Sequence, residues 1–482
     1  MFPGVERKPA PPMTDASLTY TLAQSSSLRG APVRFRPSAP EPLERDPGLL
    51  PMLFNPRMAR NLLTAIPREA FERPYRRVKA LHFTYHGIND PEAIKRVFLD
   101  NAANYRRPRF VKRLLQPVLG EGLLNAEGDP WRSQRRLMAG AFTPQAVTAA
   151  APLFARLAER SCDRTPGDGG TVDMAAEATR TTLEVIDEAL YSGQTGMPFG
   201  QTSGHVRDML AGMGELRLGL LLGLQTLDMA PPQRRARRAR RILVKRMEQF
   251  IRGRASAADA PDDFITRLYE GFAAEHPREE AIQLTLDNAM TFFVAGHETT
   301  ANGLAWALYL LAGDPQAQAW AREEAIAAWA TGDPAQVVER LPYLRMVWEE
   351  TLRLYPPVHR IDREALGDDE LCGRKIRKGD MITVWPWVLH RHRTLWDEPD
   401  LFNPENFDPE AKEGRHRYQY IPFGAGPRIC IGMGFAQAEA LTVLSRWLTT
   451  FRFAPTPGRT VEPRADFTLR PDGGLPLVVE RL

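Results

Sequence analysis

The sequence predicts a mainly α-helical fold with a small β-rich region. Three observations carry this. From about residue 47 to 355, apolar and charged residues mix at helical spacing. Within that span, residues 280–312 are apolar on most sides, enough for one helix of roughly 33 residues, about 50 Å at 1.5 Å per residue. Residues 355–430 are rich in proline and glycine and lose the helical pattern.

Taken in order, residues 1–45 are rich in Pro, Ser and Arg and form an extended N-terminal arm; 46–482 form a single domain. Strand-like segments stand at 79–85 and 381–388. Helices are expected at Arg135–Phe142, Ala149–Arg160 and Ala175–Tyr191. Gly313-Asp314-Pro315 ends the long helix with sound C-terminal chemistry. A last helix follows Cys430 and runs to about Phe451.

With 43% hydrophobic and 25% charged residues among 482, the chain has the make-up of an ordinary globular protein and not of a disordered one. The net charge of +4 is a mild basic excess, compatible with an acidic partner. Three cysteines (Cys162, Cys372 and Cys430) make no disulfide framework and fit a reducing compartment. The N-terminus has no apolar core of a secretory signal, and the apolar runs at Leu218–Leu224 and around Phe292 are too short to span a bilayer. A soluble, cytoplasmic monomer without a transmembrane segment is expected. The basic run Arg234, Arg235, Arg237, Arg238, Arg240, Arg241, Lys245 and Arg246 follows Pro231-Pro232 and reads as a solvated helix face, with Ile242 and Leu243 inward. It lacks aromatic interleaving, so no nucleic-acid partner is expected.

The most informative segment is Phe423-Gly424-Ala425-Gly426-Pro427-Arg428-Ile429-Cys430-Ile431-Gly432. Two glycines permit a tight turn and Pro427 stiffens it. Cys430 then stands before a helix, where unpaired N–H groups and the dipole favour a thiolate. A thiolate ligand pushes electron density onto a haem iron, and Arg428 beside it suits a haem propionate. A dinucleotide fingerprint fails because Ile429 stands where glycine is required. The alternative is a buried structural cysteine beside a glycine turn.

In mid-helix stands Ala295-Gly296-His297-Glu298-Thr299-Thr300. Charged and hydroxyl groups in a core are costly unless satisfied or used. A zinc-protease motif fails because Ala301 stands where the second histidine belongs. The plain alternative is a polar kink whose threonines bond back to carbonyls of the preceding turn.

Two further pairs accompany these. Glu350 and Arg353 share a helix face and lead into Tyr355-Pro356-Pro357; Trp131 and Arg135 share a face at i and i+4. Together, in this order along the chain, the four segments resemble the motifs of the cytochrome P-450 family: WxxxR, (A/G)Gx(D/E)T, ExxR and FGxGxRxCxG. The resemblance implies the family's fold, with haem b between the long helix and the cysteine loop and Cys430 as axial thiolate. It implies Trp131, Arg135, Arg363 and Arg428 at the propionates, and Ala295, Gly296, Phe423 and Gly424 beside the ring. It implies that Thr299 hydrogen-bonds O2 and Glu298 feeds protons, while Glu350 and Arg353 brace the cysteine loop. A third brace residue of the family is commonly Arg; here Asn406 holds that place.

The implied reaction is monooxygenation, with electrons from a separate ferredoxin- or flavodoxin-type donor, since the sequence shows no flavin or iron–sulfur module. A peroxide-driven peroxygenase and a non-catalytic haem sensor are the alternatives, and the Glu298-Thr299 pair argues against both. Phe292, Phe293, Val358, His359 and Ile361 are candidates for a pocket that takes a small lipophilic substrate such as a fatty acid, terpene or steroid. His359 and Arg360 are candidates to anchor a carboxylate.

Overall fold

The predicted long helix runs from Arg278 to Gly313 in the computed structural model, which describes residues 34–48, 51, 54–80, 83–214 and 231–482. From Thr285 to Ala312 every residue of it is buried except Ala295, Gly296, Glu298, Thr299 and Tyr309. A helix hydrophobic all round belongs inside a large core. Its first half, Ala281 to Val294, packs in one apolar cluster with Phe435 and Met247; its second half, Ala301 to Ala312, packs in another with Trp348 and Trp447. The accessible window lies where the two clusters meet.

The longer helices are α1 (Arg109–Leu119), α2 (Gly128–Ala139), α3 (Ala151–Arg164), α4 (Met174–Tyr191), α5 (Phe199–Gly214), α6 (Pro231–Arg254), α7 (Phe264–Ala273), the long α8, then α9 (Pro315–Trp329), α10 (Pro342–Leu354) and α11 (Met433–Thr450). Glycine sets two close approaches to α8. A Cβ on Gly296 would lie 2.6 Å from Ile186 Cδ1 of α4, and one on Gly303 would lie 2.4 Å from Trp348 Cη2 of α10.

The strands are β1 (Tyr75–Ala80), β2 (Phe83–Ile88), β3 (Tyr105–Arg106), β4 (Asp168–Asp173), β5 (Ile361–Ala365), β6 (Asp369–Leu371), β7 (Arg374–Ile376), β8 (Met381–Val384), β9 (Phe451–Pro455), β10 (Pro463–Ala465), β11 (Leu469–Pro471) and β12 (Pro476–Arg481). The largest sheet has the order β1-β2-β8-β5-β3, with β2 and β8 parallel. A three-stranded sheet orders β4-β12-β9, and β6–β7 and β10–β11 form two small hairpins.

The structure shifts several expected boundaries. α2 begins at Gly128, ahead of the predicted Arg135, because its first turns are polar and lack an apolar stripe; Gly140–Phe142 is a separate 3-10 turn. The 79–85 segment straddles a hairpin in which Ala80 pairs with Phe83; residues 81 and 82 lie outside the described residues. At 381–388 only Met381–Val384 is strand, since Pro386 starts the short helix Pro386–Leu389.

Of the predicted arm, residues 1–33 lie outside the described residues. The part from Phe35 onward docks on the body: Phe402 N–H donates to Phe35 O at 2.9 Å, and Tyr355 Oη–H donates to Ser38 O at 2.6 Å. The body therefore begins at Phe35 and not at 46.

The basic run falls on α6, whose Ala236, Ala239, Leu243, Met247 and Ile251 face the core while Arg235, Arg238, Arg241 and Lys245 are exposed; Ile242 is half-buried. The apolar run Leu218–Leu224 lies outside the described residues. No described helix is long and apolar enough to cross a membrane.

Candidate active site

The cysteine loop is built by backbone geometry. Gly424 (φ +73°) and Gly426 (φ +67°) occupy left-handed conformations, and a Cβ on Gly426 would collide with Phe98 O. Cys430 N–H donates to Phe423 O at 2.9 Å, and Gly424 N–H donates to Ile421 O at 3.0 Å. α11 starts three residues after the cysteine, with Gly432 as its N-cap.

Cys430 is exposed, yet the surrounding protein desolvates its thiol. A side chain in that state lines an internal chamber. Val358 is exposed between buried Pro357 and His359, and Ala295 is exposed within the otherwise buried α8. The thiol corrects one expectation. Burial pushes its pKa up, and the Gly432 N–H and the Arg135 charge only partly offset this.

Around this chamber guanidinium groups outnumber carboxylates. Arg428 pairs with Glu127 at 2.6 Å and donates to Ala126 O at 2.8 Å. The side chains of Arg107, Arg135 and Arg363 form no ion pair among the described residues. Arg428 and Arg135 both lie against Trp131, at 4.5 and 5.9 Å from its ring centre, so Trp131 holds both guanidiniums. Arg363 rests on the Phe98 ring at 4.8 Å and donates to Asp362 O at 2.9 Å. The Asp362 carboxylate itself is taken by Arg360 and Thr383.

Burial and the neighbouring Arg363 and Arg428 push Arg107 down to about 9; burial and Arg428 push Arg363 down to about 10. Arg107 Nε is buried without a partner. Sequence reasoning did not find Arg107: it sits in no motif, and its charge neighbours come from far along the chain. Such a cluster is stable when dianionic oxygen ligands complete it. The donor set of one thiol and several unpaired guanidiniums therefore fits a haem, whose propionates supply that charge. No cluster of three or more His, Cys, Asp or Glu suited to a bare metal ion occurs among the described residues.

On α8, Thr299 donates to Ala295 O at 2.8 Å and Thr300 to Gly296 O at 3.2 Å, which is the back-bonding a polar kink predicts. Only Thr300 is buried; Thr299 stays accessible. His297 is buried, with Nδ1 2.6 Å from Phe293 O, and burial lowers it to about 4, so the ring is neutral. Glu298 accepts from Thr468 Oγ1 at 2.7 Å through Oε1, while Oε2 is buried without a partner. Burial raises this carboxyl to about 7, near the value a proton carrier needs at neutral pH.

Four expected site residues, Phe292, Phe293, His359 and Arg360, are engaged elsewhere. The missing Cβ of Gly296 serves a close approach to Ile186, and the residue itself stays partly accessible beside Ala295. Phe292 stacks on Phe142 with ring centres 5.3 Å apart and meets Phe264 edge-on at 5.0 Å; Phe293 packs on Tyr191 and His297. Both phenylalanines are core. His359 is buried beside Trp385, and burial lowers it to about 3; Arg360 is spent on Asp362 at 2.9 Å, so neither is a free carboxylate anchor. Val358 is exposed, and Ile361 sits half-buried on β5 opposite Val384.

Behind the loop, Glu350 and Arg353 are wholly buried and joined twice, at 2.6 and 2.7 Å. Arg353 also donates to the carbonyls of His390, Pro399 and Leu401. Asn406 Nδ2 donates to both Glu350 oxygens at 3.3 Å, and Asn403 N–H donates to one at 2.8 Å. The third place is thus filled by a neutral amide. Arg415 supplies a charge nearby and donates to Asn406 O.

A family model described as Cytochrome P450 matches residues 49–477. The chain is 31% identical over 425 residues to cytochrome P450 4F12 of Homo sapiens, an alignment covering 81% of this chain and 79% of the relative. Identity with human cytochrome P450 4F2 is 30% over 419 residues, covering 81% and 80%. With protein LUTEIN DEFICIENT 5, chloroplastic, of Arabidopsis thaliana it is 28% over 463 residues, covering 88% and 76%.

Proposed function

The chain belongs to the cytochrome P450 family, and from that premise we propose the residues by which this haem-thiolate monooxygenase works, its substrate class and its electron source. Haem b with a cysteine thiolate and O2 supply the oxidising chemistry, placing one oxygen atom in the substrate and reducing the other to water. Cys430 is the thiolate. Arg107, Arg135, Arg363 and Arg428 bind the propionates, with Trp131 setting the orientation of two of them.

Glu298 carries protons and Thr299 orients them at the reacting oxygen. A carboxyl held near 7 is about half protonated at neutral pH, so it both takes and gives a proton. Thr299, its own proton engaged with Ala295 O, offers a hydroxyl oxygen to accept from a neighbour. The buried flanks of α8 exclude bulk water, which keeps stray protons from the reaction.

The chamber wall at Ala295 and Val358 is apolar and the histidine beside it is neutral, which supports a lipophilic substrate. A separate ferredoxin- or flavodoxin-type protein supplies electrons, docking by its acidic face on the basic residues around the cysteine side, where Arg136 on α2 is exposed. Charge reversal at Arg136 raises the KM for such a donor; an unchanged KM refutes the docking.

The observation that carries the reading is the enclosed but accessible Cys430 thiol among unpaired guanidiniums. The test is the reduced carbon monoxide difference spectrum of the purified protein. The wild type gives the red-shifted Soret band of thiolate ligation, and Cys430→Ser loses it while folding as before. Freshly purified protein without haem, or an unshifted band in the wild type, overturns the assignment.

A further inference from the structure

We propose that Thr468 and Asn302 are positioning residues that tether Glu298 to the β10–β11 hairpin and fix which carboxyl oxygen carries the proton. The inference rests on the reading of Glu298 as the proton carrier and adds the device that holds it. Thr468 Oγ1 lies 2.7 Å from Glu298 Oε1, and Asn302 Nδ2 lies 3.1 Å from Thr468 Oγ1. Thr468 and Asn302 are both buried.

The direction of the chain follows from the donor inventory. The amide N–H of Asn302 can only donate, so it occupies a lone pair of the Thr468 hydroxyl. The single hydroxyl hydrogen then points to Glu298 Oε1, which must accept. A proton held by the carboxyl therefore sits on Oε2, the buried oxygen with no partner. Oε2 is the atom from which the proton leaves.

The tether is anchored at both ends. Asn302 stands one helical turn beyond Glu298 on α8. Thr468 lies in the hairpin turn, where its carbonyl accepts from Asp466 N–H at 3.2 Å. Leu469 N–H donates to Pro357 O at 2.9 Å and Trp306 Nε1 donates to Leu469 O at 3.3 Å, pinning the hairpin to the body. The charges facing Glu298 are Arg470 and Asp466 of the hairpin and Arg207 of α5. Arg470 is spent on Asp466 at 2.7 Å, which also takes Arg464 at 2.9 Å. The Thr468 hydroxyl is thus the direct neutral handle on the carboxyl.

The test is an infrared pH titration of the carboxyl band in the haem-loaded protein, with Glu298→Gln identifying the band. The wild type titrates near 7. Thr468→Val removes the donor that favours the ionised form, so the midpoint rises by about one pH unit, a tenfold change in the protonation equilibrium. Thr468→Ser restores it. Asn302→Leu shifts it in the same direction, and it alone decides should Thr468→Val fail to retain haem. Midpoints unmoved in the folded variants overturn the tether.

A second readout separates the two readings: the share of electrons from a plant-type ferredoxin and its reductase that ends as hydrogen peroxide. If Glu298→Gln leaves that share unchanged across pH, Glu298 is not the proton carrier. If Glu298→Gln raises it several-fold while Thr468→Val alters neither the share nor the infrared midpoint, only the tether is wrong.

Discussion

Replacing Arg107 by leucine should move the haem-free and haem-loaded proteins in opposite directions. Arg107 is a buried guanidinium with no ion pair among the described residues, an unpartnered Nε, and two further cations beside it. Its fall to about 9 is a drop of roughly 3.5 pH units from the free side chain; at 1.36 kcal/mol per unit that penalises the charged form by on the order of 5 kcal/mol. The effective dielectric around a partly open chamber trims this, so a gain of about 1–3 kcal/mol for the haem-free leucine variant is expected. For a chain of this length that is a rise of a few degrees in thermal midpoint.

With haem bound, the same change removes a charge-assisted hydrogen bond to a propionate, worth about 1.5–3 kcal/mol, or roughly ten- to a hundred-fold in haem retention. Thermal melts of both forms by circular dichroism, with haem transfer to an excess of apomyoglobin, measure both halves. A haem-free midpoint that falls as far as the haem-loaded one would show that Arg107 has a structural partner, and the argument from unpaired charge would be refuted.

Other outcomes follow from the same geometry. Asn406→Ala deletes the amide that donates to both Glu350 oxygens, costing about 1–2 kcal/mol in urea unfolding and hastening loss of the thiolate-type carbon monoxide band; an unchanged band lifetime counts against a brace at this position. Gly303→Ala drives a methyl to within 2.4 Å of the Trp348 ring, so overpacking of about 1–3 kcal/mol outweighs the propensity gain of about 1 kcal/mol and the protein melts earlier with a normal spectrum. Gly204→Ala in α5, with nothing within 4 Å, is the control and should not lower the midpoint. For Glu298 the sign is that of a raised acid. The folded state holds the proton more tightly, so its contribution is complete below the ordinary carboxylate range and is lost as pH rises through about 7. Glu298→Gln should therefore flatten the decline in stability between about pH 4 and 7, seen as a smaller difference in urea midpoint across that window.

What the sequence disclosed, and what it withheld, divides by how far apart the cooperating atoms lie along the chain. The cysteine turn depends on Gly424 and Gly426, whose φ values are local, and the long helix ends at Gly313 before Asp314-Pro315; both were readable in a short window. The ExxR pair was readable because its members stand on one face of α10, and even the substitution at Asn406 was visible as a change of residue type. That a neutral amide with Arg415 behind it fills the place was not, because Arg415 reaches it through the fold. The side of α8 that faces the chamber was likewise hidden. Phe292 and Phe293 are equally good wall residues on paper, and only Phe142 and Tyr191, brought from elsewhere in the chain, turn them into core. Arg107 is the extreme case. Nothing beside it in the sequence marks it, and its meaning lies wholly in Arg363, Arg428 and Glu127. Motifs thus reveal the atoms that must sit close in the chain, whereas the charge balance that selects a dianionic cofactor is a property of the assembled chamber alone.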